Sequence, residues 1–534
     1  MGESGLIVGV SGLRGIVGES LTAEVAARFA QAVGAWFASL DPHEDTYTIV
    51  VGHDGRAGHE MVYHAVITGL LANGWGVLPI GRAMTPTIGV LVGSREFCAG
   101  GVVVTASHNP QEWNGIKVIS GLVPDIAYPA GACAPTAEQA NIVIERYEDG
   151  DFDWPENPIG GSRIRDAEIV EPDRDPAEYH VNKVERALWD SLAMFHNVEE
   201  NIAQLRVSID SVNASGSTGA RALFERLRVY AVHLHGDDSG IFPHTPEPTR
   251  ENLSGEGGLC DAVPGLNMDV GFAQDPDADR LAVVDELGEY IGEEYTMVLC
   301  AMALMEARIH RGGQLYSEQG ERRAVSPSHQ SKGKPMFVVN LSTSRMIDDV
   351  AAHYGVEVVR AAVGEANVVE QMKRLTGEGR DVVLGGEGNG GVIWAQVTYV
   401  RDSLSGMALI LSLMARTGKT VSELVSMVNS FGPTDEVKAD GYTILKIKSD
   451  LASKADAQPV VEHLNRVYSQ RGDCRVDLVD GIRIDWDELG VWAHVRASNT
   501  EAIMRVIVEA PSEGEAKRVA LEIEGEIGRE GTRD

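Results

Sequence analysis

The sequence predicts an α/β protein, because helical patterns alternate with short apolar strands along most of its length. This alternation occurs in three rounds, and each round ends a strand in an unusual polar loop. Ligands of such sheets bind at the strand ends, so three loops at matching positions indicate one shared cleft. A chain of 534 residues has room for several domains, since domains commonly contain roughly 100–200 residues.

The first round begins with an amphipathic helix at 22–40, where large apolar residues recur every four positions. Its other predicted elements are a strand, a helix and two strands, at 47–51, 61–73, 76–80 and 102–104. The last strand is a run of valines that leads directly into the polar loop 105–110. A loop in this position holds its side chains at the edge of a sheet, where a ligand can reach them.

The second and third rounds repeat this order of elements. Strands at 207–210, 230–234 and 268–272 lead to the acidic loop 275–280, and strands at 336–340, 356–359 and 381–384 lead to the glycine-rich loop 385–391. Such loops are often rich in glycine for turn geometry alone. Their recurrence at the same place in three rounds favours a common site.

A smaller α+β domain follows, and it contains a fourth polar loop at 496–501. Its predicted strands are at 442–448, 475–478, 481–486 and 490–496, with helices at 455–468 and 512–527. The predicted domains are 1–165, 175–290, 291–420 and 430–534. A linker at 128–174, rich in proline, glycine and acidic residues, and a polar insertion at 312–335 interrupt the pattern.

The composition excludes some classes of partner. A net charge of −33 argues against nucleic acid, because phosphate backbones require surfaces rich in lysine and arginine. It leaves room for a small anion held by a local arginine cluster. The five cysteines form no CxxC pair, which indicates reduced thiols in a cytoplasmic protein. No apolar run is long enough for a membrane span, so no membrane partner is expected.

The acidic loop predicts a metal site. Asp275, Asp277 and Asp279 alternate with single residues, and a curled backbone brings such carboxylates onto one hard divalent cation such as Mg²⁺. An EF-hand is excluded, because Arg280 occupies the sixth position, where that loop requires glycine. A solvated acidic turn is the remaining alternative.

The loop at 105–110 presents a hydroxyl at Ser107, which we interpret as the carrier of a phosphoryl group. A hydrolase nucleophile with His108 as base is the rival, but adjacent residues of an extended segment point to opposite faces. No G-x-S-x-G motif occurs in the chain. A purely structural turn is the other alternative. Lys117 follows Asn114-Gly115, a pair that predicts a turn bringing the lysine back toward the loop.

The last two loops suit a sugar phosphate. Arg496, Ser498, Asn499 and Thr500 offer a guanidinium, two hydroxyls and an amide, which together match a dianionic phosphate. In the glycine-rich loop, Glu387 and Asn389 can bind sugar hydroxyls, since glycine permits a close backbone approach.

With these four loops in this order, the chain resembles the α-D-phosphohexomutase family, which includes phosphoglucomutase, phosphomannomutase and phosphoglucosamine mutase. The 105–110 loop, with Asn114, Gly115 and Lys117, matches the family's phosphoserine loop, and 275–280 matches its metal loop. The segments 386–391 and 496–501 are similar to its sugar and phosphate loops. Its N-terminal and second-domain signatures match 11–15 and 242–253. The resemblance implies four domains around a central cleft, with mixed sheets in three α/β/α units.

The resemblance also implies a mechanism. Phospho-Ser107 would give its phosphoryl group to a hexose monophosphate, and the bisphosphate would turn around in the cleft before Ser107 takes back the other group. Mg²⁺ would be held by the three aspartates and the Ser107 phosphate, and a hexose 1,6-bisphosphate would be the activator. Arg14, Arg280, Lys117 and His108 are the implied catalytic residues, with Lys117 as the leading general acid or base.

The sugar loop departs from the commonest family pattern. Asn389 stands where many members have serine, and Gly391 where many have histidine. The form Gly-Gly-Glu-Gly-Asn-Gly-Gly resembles archaeal-type phosphoglucosamine and phosphomannose mutases, and we favour glucosamine phosphate. Ala497 and Ala502 stand where proline is usual. Two other hypotheses remain, a sugar-phosphate-binding paralogue without turnover and a Mg²⁺ phosphatase. The sequence does not predict an oligomeric state.

Overall fold

The structure, a computed structural model, describes residues 5–40, 48–94, 98–121, 131–152, 175–192, 195–312, 333–498 and 502–530. These residues form four sheets, three of them mixed and flanked by helices and the fourth antiparallel. This architecture confirms the predicted fold class. No helix in the described ranges combines the length and the apolar character that a membrane crossing requires.

The first sheet has six strands in the order β1-β2-β6-β5-β3-β4. The strands are β1 (Ile7–Gly9), β2 (Gly12–Ile16), β3 (Thr48–His53), β4 (Gly76–Arg82), β5 (Cys98–Val104) and β6 (Trp113–Ser120). The helices are α1 (Ala23–Ser39), α2 (His59–Ala72), α3 (Thr85–Ser94) and α4 (Ala137–Asp149). Strand β3 runs parallel to β4 and β5, so their carboxyl ends meet at one edge.

Helix α1 confirms the periodicity of its sequence. Thr22 caps it by accepting a hydrogen bond from the Val25 amide at 3.3 Å. Its Phe29, Val33 and Phe37 are buried in the core of the first unit. Burying large side chains of this kind stabilises the fold by about 1.5–3 kcal/mol each.

The second sheet has the order β10-β9-β7-β8, in which β7 is parallel to both neighbours and β10 is antiparallel. The strands are β7 (Arg206–Asp210), β8 (Tyr230–Leu234), β9 (Val270–Gln274) and β10 (Leu281–Val284). The helices are α5 (Pro176–Leu192), α6 (Val198–Ile202), α7 (Gly216–Leu227), α8 (Arg250–Leu253) and α9 (Leu259–Gly265).

The third sheet has the order β12-β11-β13-β14, again parallel except for its last strand. The strands are β11 (Pro335–Asn340), β12 (Glu357–Ala361), β13 (Asp381–Glu387) and β14 (Gly391–Ile393). The helices are α10 (Glu293–Gly312), α11 (Met346–Tyr354), α12 (Glu365–Gly377), α13 (Ser403–Thr417) and α14 (Val421–Ser430). The apolar side chains of α10 and α13 join the second and third units in one hydrophobic core.

The C-terminal sheet is antiparallel, in the order β15-β19-β18-β17-β16. Its elements are α15 (Asp435–Asp440), β15 (Thr443–Asp450), α16 (Ala457–Tyr468), β16 (Arg475–Asp477), β17 (Ile482–Trp486), β18 (Val491–Ala497), β19 (Ile503–Ala510) and α17 (Glu513–Glu530). This domain has a separate hydrophobic core.

Polar contacts connect the C-terminal domain to the third unit. The Ser342 hydroxyl lies 2.8 Å from His494 Nδ1, and the Tyr442 hydroxyl donates to Asp349 at 2.8 Å. The Arg345 amide donates to Glu509 Oε1 at 2.8 Å. Hydrogen bonds therefore contribute much of the specificity of this interface.

Two features differ from the sequence prediction. The predicted linker at 128–174 contains helix α4, which a capping box between Thr136 and Gln139 stabilises. The Asn114-Gly115 pair does not form a turn, because it lies inside strand β6, where β2 and β5 pair with it on both sides. The chain reverses earlier, in the loop before Trp113. Most of the predicted insertion at 312–335 lies outside the described residues.

Candidate active site

Ser107 lies in the loop that follows β5, buried in the cleft. Its φ is +51°, a left-handed conformation that turns the side chain away from the strand direction. The Thr105 hydroxyl stabilises this turn by accepting a hydrogen bond from the Ser107 amide at 2.8 Å, and it donates to Asp54 at 2.6 Å. Ser107 Oγ donates to Asp275 Oδ2 at 2.9 Å, across 168 positions of sequence. The first and second polar loops therefore meet at this hydroxyl.

Arg56 binds the backbone of the Ser107 loop, a role that the sequence interpretation did not predict. Its guanidinium donates to the carbonyls of Ser107 at 2.5 Å and Trp113 at 2.6 Å, and it pairs with Asp54 at 2.8 Å. Both charged side chains are fully buried. The signal was available, because Asp54-Gly55-Arg56 directly follows β3, whose end lies beside that of β5.

The three aspartates of the second loop converge. Their nearest carboxylate oxygens all lie within 4.8 Å of one another, and all three side chains are buried. Asp277 Oδ1 and Asp279 Oδ1 have no hydrogen-bond partner. Unpaired buried oxygens are costly, and a hard cation with oxygen ligands satisfies them. The residues therefore fit a divalent cation such as Mg²⁺.

The charges in this loop interact strongly. Burial, together with the charges of Asp279 and Asp277, raises the pKa of Asp275 well above its ordinary value. Burial would also raise the pKa of Asp279, but Arg401 and Lys117 lower it overall. The loop therefore combines two carboxylates that stay ionised, Asp277 and Asp279, with the Asp275 carboxyl group, which holds its proton more tightly.

Lys117 is one of the cations that contact the metal loop. From strand β6, its Nζ donates to Asp277 Oδ2 at 2.5 Å and to Asp279 Oδ2 at 3.1 Å. Burial would lower the pKa of Lys117, but the two carboxylates raise it overall. Thr85, at the start of α3, donates to the same Asp277 oxygen at 2.6 Å. Lys117 is therefore an ammonium group in this state.

His108 is closer to Ser107 than we predicted. Its Nδ1 lies 3.4 Å from Ser107 Oγ, because the left-handed turn at Ser107 breaks the alternation of an extended chain. Burial and the charges of Arg280 and Arg14 lower the pKa of His108 to about 3. Its imidazole is therefore neutral at physiological pH and a weak base.

Arg14 and Arg280 flank the same region. Arg14 Nη1 donates to the Asn109 side chain at 3.2 Å, which links strand β2 to the phosphoserine-type loop. The Arg280 amide donates to Asp275 Oδ1 at 3.2 Å, and its guanidinium lies 3.8 Å from Glu247. Two guanidinium groups thus bring positive charge to the cleft beside Ser107.

Arg401 connects the metal loop to the sugar loop and had no place in the sequence interpretation. It pairs with Asp279 at 2.6 Å, with Glu387 at 2.6 Å and with Glu365 at 3.2 Å. The charge of these partners outweighs burial and raises the pKa of Arg401. It directly follows Val400 in a loop without glycine clusters or acidic repeats, so no sequence signal indicated it.

Glu387 ends strand β13 and is almost fully buried. Besides Arg401, it accepts hydrogen bonds from the Asn340 amide group at 2.8 Å and from the Gly364 amide at 3.1 Å. Asn389 is more exposed, and its Oδ1 accepts a hydrogen bond from the Gly391 amide at 3.3 Å. The two predicted sugar-binding residues therefore differ, since Glu387 is rigidly held and Asn389 is available.

The fourth loop is described in part. Arg496, near the end of β18, has its Nη1 3.6 Å from Asp480 Oδ2. The same Asp480 oxygen accepts a hydrogen bond from the Val363 amide at 3.0 Å. Ser498 is buried, and its amide donates to the Ile503 carbonyl at 3.0 Å. Asn499 and Thr500 lie outside the described residues. The contact to Val363 brings this loop next to Gly364, which touches Glu387.

Comparison with known proteins agrees with this arrangement. Family models of phosphoglucomutase/phosphomannomutase match the chain in four parts: the α/β/α domains I, II and III at residues 5–123, 186–288 and 322–431, and the C-terminal domain at 447–526.

The chain is similar to whole proteins as well as to single domains. It is 32% identical over 522 residues to a phosphoglucomutase/phosphomannomutase of Thermococcus kodakarensis, with 96% of each chain covered. It is 30% identical to a probable phosphoglucosamine mutase of Methanopyrus kandleri, again with 96% of each covered. The crystal structure of a phosphoglucomutase/phosphomannomutase family protein from Burkholderia thailandensis has a TM-score of 0.72 at 21% identity, covering 98% of this chain and 99% of that chain.

Proposed function

The chain belongs to the α-D-phosphohexomutase family and is a phosphohexomutase, and we propose that it interconverts glucosamine 6-phosphate and glucosamine 1-phosphate. The similarity to the Methanopyrus kandleri protein and the sequence of the 385–391 loop support this sugar. The relative from Thermococcus kodakarensis makes glucose and mannose phosphates the second candidates.

One observation carries the assignment of chemistry to residues. Ser107 Oγ touches Asp275 at 2.9 Å, beside two buried aspartate oxygens that have no hydrogen-bond partner. A nucleophilic oxygen in contact with a cation-binding carboxylate set is what phosphoryl transfer requires. Asp275, Asp277 and Asp279 would hold Mg²⁺, which neutralises charge on the transferring phosphoryl group.

In this proposal Ser107 carries the phosphoryl group and passes it to a hydroxyl of the bound hexose phosphate. The sugar oxygen forms a bond to phosphorus as the Ser107 oxygen leaves, and the proton of the sugar hydroxyl goes to a base. The bisphosphate then reverses its orientation, and Ser107 accepts the other phosphoryl group. A hexose 1,6-bisphosphate therefore serves as activator, because it returns an unphosphorylated Ser107 to the working form.

Lys117 is the leading general acid or base of the proposed reaction, and His108 lies beside Ser107. Lys117 holds its proton, since its pKa is raised, and acts as a cation beside Asp277 and Asp279 and as a proton donor toward the substrate oxygens. His108 is a neutral imidazole 3.4 Å from Ser107 Oγ, and its lowered pKa makes it a hydrogen-bond partner of this hydroxyl and not a strong base. Arg14 and Arg280 stabilise the negative charge of the group in transfer.

The other two loops bind the part of the substrate that does not react. Glu387 is fixed by Arg401 and presents the sugar loop in one geometry, while Asn389 reads a hydroxyl or amino group. Arg496, Ser498, Asn499 and Thr500 hold the distal phosphate through charge-assisted hydrogen bonds. These residues serve both orientations of the bisphosphate, because the two phosphates exchange places when it turns around.

A substrate panel tests the proposal. The enzyme is assayed in both directions with glucosamine, glucose and mannose phosphates, with Mg²⁺ and a catalytic amount of the matching bisphosphate. We expect the highest kcat/KM for glucosamine phosphate, and a higher value for glucose or mannose would overturn that choice. Ser107→Ala should abolish isomer formation. Release of free phosphate without an isomer would identify a phosphatase, and binding without any turnover would identify a non-catalytic paralogue.

A further inference from the structure

A second group of metal-ligand side chains lies in the second unit, away from the aspartate loop. Asp210 ends strand β7, His235 directly follows β8, and His244 lies nine positions later. Asp210 Oδ2 is 2.8 Å from His235 Nδ1 and 3.0 Å from His244 Nε2. We call these three residues the Asp-His-His cluster. The phosphohexomutase mechanism uses none of them.

The hydrogen bonds around His244 determine which of its nitrogens carries a hydrogen. Its Nδ1 lies 2.8 Å from the Thr245 carbonyl, which only accepts, so Nδ1 carries the hydrogen. In the neutral ring, Nε2 then directs a lone pair at a carboxylate oxygen 3.0 Å away. Two acceptors at this distance need a cation between them, either a proton or a metal ion. A histidine whose second nitrogen donates to a backbone carbonyl is the usual arrangement in metal sites.

The position of Asp210 also fits a ligand. Its side chain is buried, and its Oδ1 accepts a hydrogen bond from the Val212 amide at 2.9 Å. This contact fixes the carboxylate plane and leaves Oδ2 directed at the two imidazoles. Val212 and His235 have φ values of +44° and +45°. A left-handed φ is unfavourable at a β-branched residue such as Val212, and it persists only where contacts in the surrounding structure offset its cost.

We propose that the Asp-His-His cluster binds a divalent transition-metal ion of the Zn²⁺ class. The three donor atoms lie within 4.8 Å of one another. Two imidazole nitrogens and one carboxylate oxygen are a borderline-soft set that suits Zn²⁺, whereas the all-oxygen aspartate loop suits Mg²⁺. A cavity of about 420 Å³ borders His235, and the side chains of His235 and His244 are both partly exposed, so these two ligands are close to solvent. One cation, Arg221, and one anion, Asp237, line this cavity together with His235.

The ion would link His235 and His244, the two ends of a segment that contacts the first unit. Between His235 and His244, the Gly240 carbonyl accepts hydrogen bonds from the Ala57 amide at 2.8 Å and from Gln111 Nε2 at 3.1 Å. The Phe242 amide donates to Gln111 Oε1 at 2.8 Å. The Phe242 ring lies 5.2 Å from the Arg56 guanidinium, the group that holds the Ser107 loop. The cluster thus closes a loop that packs beneath the active site.

Spectroscopic titration tests the proposal. The full chain is stripped with a chelator, saturated with Mg²⁺ to occupy the aspartate loop, and titrated with Co²⁺ while visible absorption is recorded. We expect a single equivalent with the intense bands of a four-coordinate site containing nitrogen ligands, displaced by Zn²⁺. His235→Ala and His244→Ala should weaken binding by at least about 100-fold, more than the loss of an outer hydrogen bond does. His64→Ala, at an exposed histidine of α2, should bind as the wild type does.

A measurement on the wild type alone covers the case in which the variants fail to fold. Crystals grown with Zn²⁺ should give an anomalous peak between Asp210, His235 and His244. The proposal is overturned if Mg²⁺-saturated wild type takes up no Co²⁺ and shows no anomalous peak there. It is equally overturned if both folded variants keep wild-type affinity. Neither result bears on the mutase reaction, which rests on other residues.

Discussion

Arg401 holds Glu387 through a contact of 2.6 Å between Nη1 and Oε2, and its other terminal nitrogen lies 2.6 Å from Asp279 Oδ2. One guanidinium therefore joins the loop that reads the sugar to the loop that holds the metal. Both contacts are buried, so the relative position of the two loops is fixed by charge-assisted hydrogen bonds and not by mobile surface groups.

Replacing this guanidinium should affect both catalysis and stability. Arg401→Gln removes the cation shared by Glu365, Glu387 and Asp279. Among the described residues, only Asp279 of these three keeps a second ion-pair partner, Lys117. We expect the free energy of unfolding to fall by about 3–5 kcal/mol and kcat/KM to fall by roughly 100-fold. Denaturant unfolding and the isomerase assay measure the two effects. Arg380→Gln is the matched control, because its pair with Glu357 is exposed and should contribute about 0–1 kcal/mol. Equal effects of the two substitutions would contradict the role given to Arg401.

Arg56→Lys should impair the phosphorylation of Ser107. Lysine cannot reach the Asp54 carboxylate and two backbone carbonyls at once, because its ammonium lacks the planar fork of arginine. We expect a loss of about 2–3 kcal/mol in the free energy of unfolding. Mass spectrometry after incubation with a hexose bisphosphate should detect much less phospho-Ser107. Wild-type phosphorylation in a folded variant would show that the loop keeps its shape without Arg56.

Lys117→Met separates catalysis from metal binding. Removing the ammonium eliminates its proton transfer, so kcat should fall by about 10²–10⁴-fold. Asp277 and Asp279 lose a competing cation at the same time. Mn²⁺ affinity, measured by electron paramagnetic resonance, should therefore stay equal or increase. Lys117→Arg keeps the charge and should keep wild-type Mn²⁺ affinity. A variant that loses both activity and Mn²⁺ would indicate that Lys117 only maintains the structure of the acidic loop.

Asp402 gives a prediction about pH. It caps α13 and lies 3.0 Å from His180 in the core shared by the second and third units. Burial would raise the pKa of this carboxyl, but His180 and Ser405 lower it overall. A lowered pKa in the folded state stabilises the protein above the unfolded value of about 4, and this contribution disappears as the pH falls through the folded value.

Asp402→Asn keeps an oxygen that can accept from the Leu404 amide but removes the charge and the second acceptor, so it should cost about 3 kcal/mol near neutral pH. The difference from wild type should shrink below pH of about 4, as the wild-type carboxyl takes up its proton. Urea unfolding at several pH values measures it. A difference that is independent of pH would mean that the charge of Asp402 contributes nothing.

The sequence predicted the elements that depend on local pattern. The apolar strands and the polar loops at their ends indicated one shared cleft, whereas the meeting of Ser107 with the three aspartates was implied by the family resemblance, since the two loops follow strands of different sheets. Lys117 was correctly brought near the loop for the wrong reason, since Asn114-Gly115 is part of β6. The domain boundaries, and the roles of the individual residues, stay predictions.

Other parts of the site could not be anticipated. Arg401 is a single residue without a recurring motif, and its importance depends on burial and on partners far away in sequence. The short distance from His108 to Ser107 depends on one backbone angle, which pattern analysis assigned to an extended chain. Long-range charge pairing of this kind is decided by tertiary packing, and only the assembled domains show it.

The polar interface of the C-terminal domain affects the temperature dependence of ligand binding. Its hydrophobic core is separate from the core that joins the second and third units, and contacts such as Tyr442 to Asp349 connect it to the rest. Heat capacity changes arise mainly from the hydration of apolar surface, and polar surface contributes with the opposite sign. Moving this domain against the third unit should therefore change the heat capacity little. Closing the cleft by this movement would then add little to the temperature dependence of the enthalpy of sugar-phosphate binding.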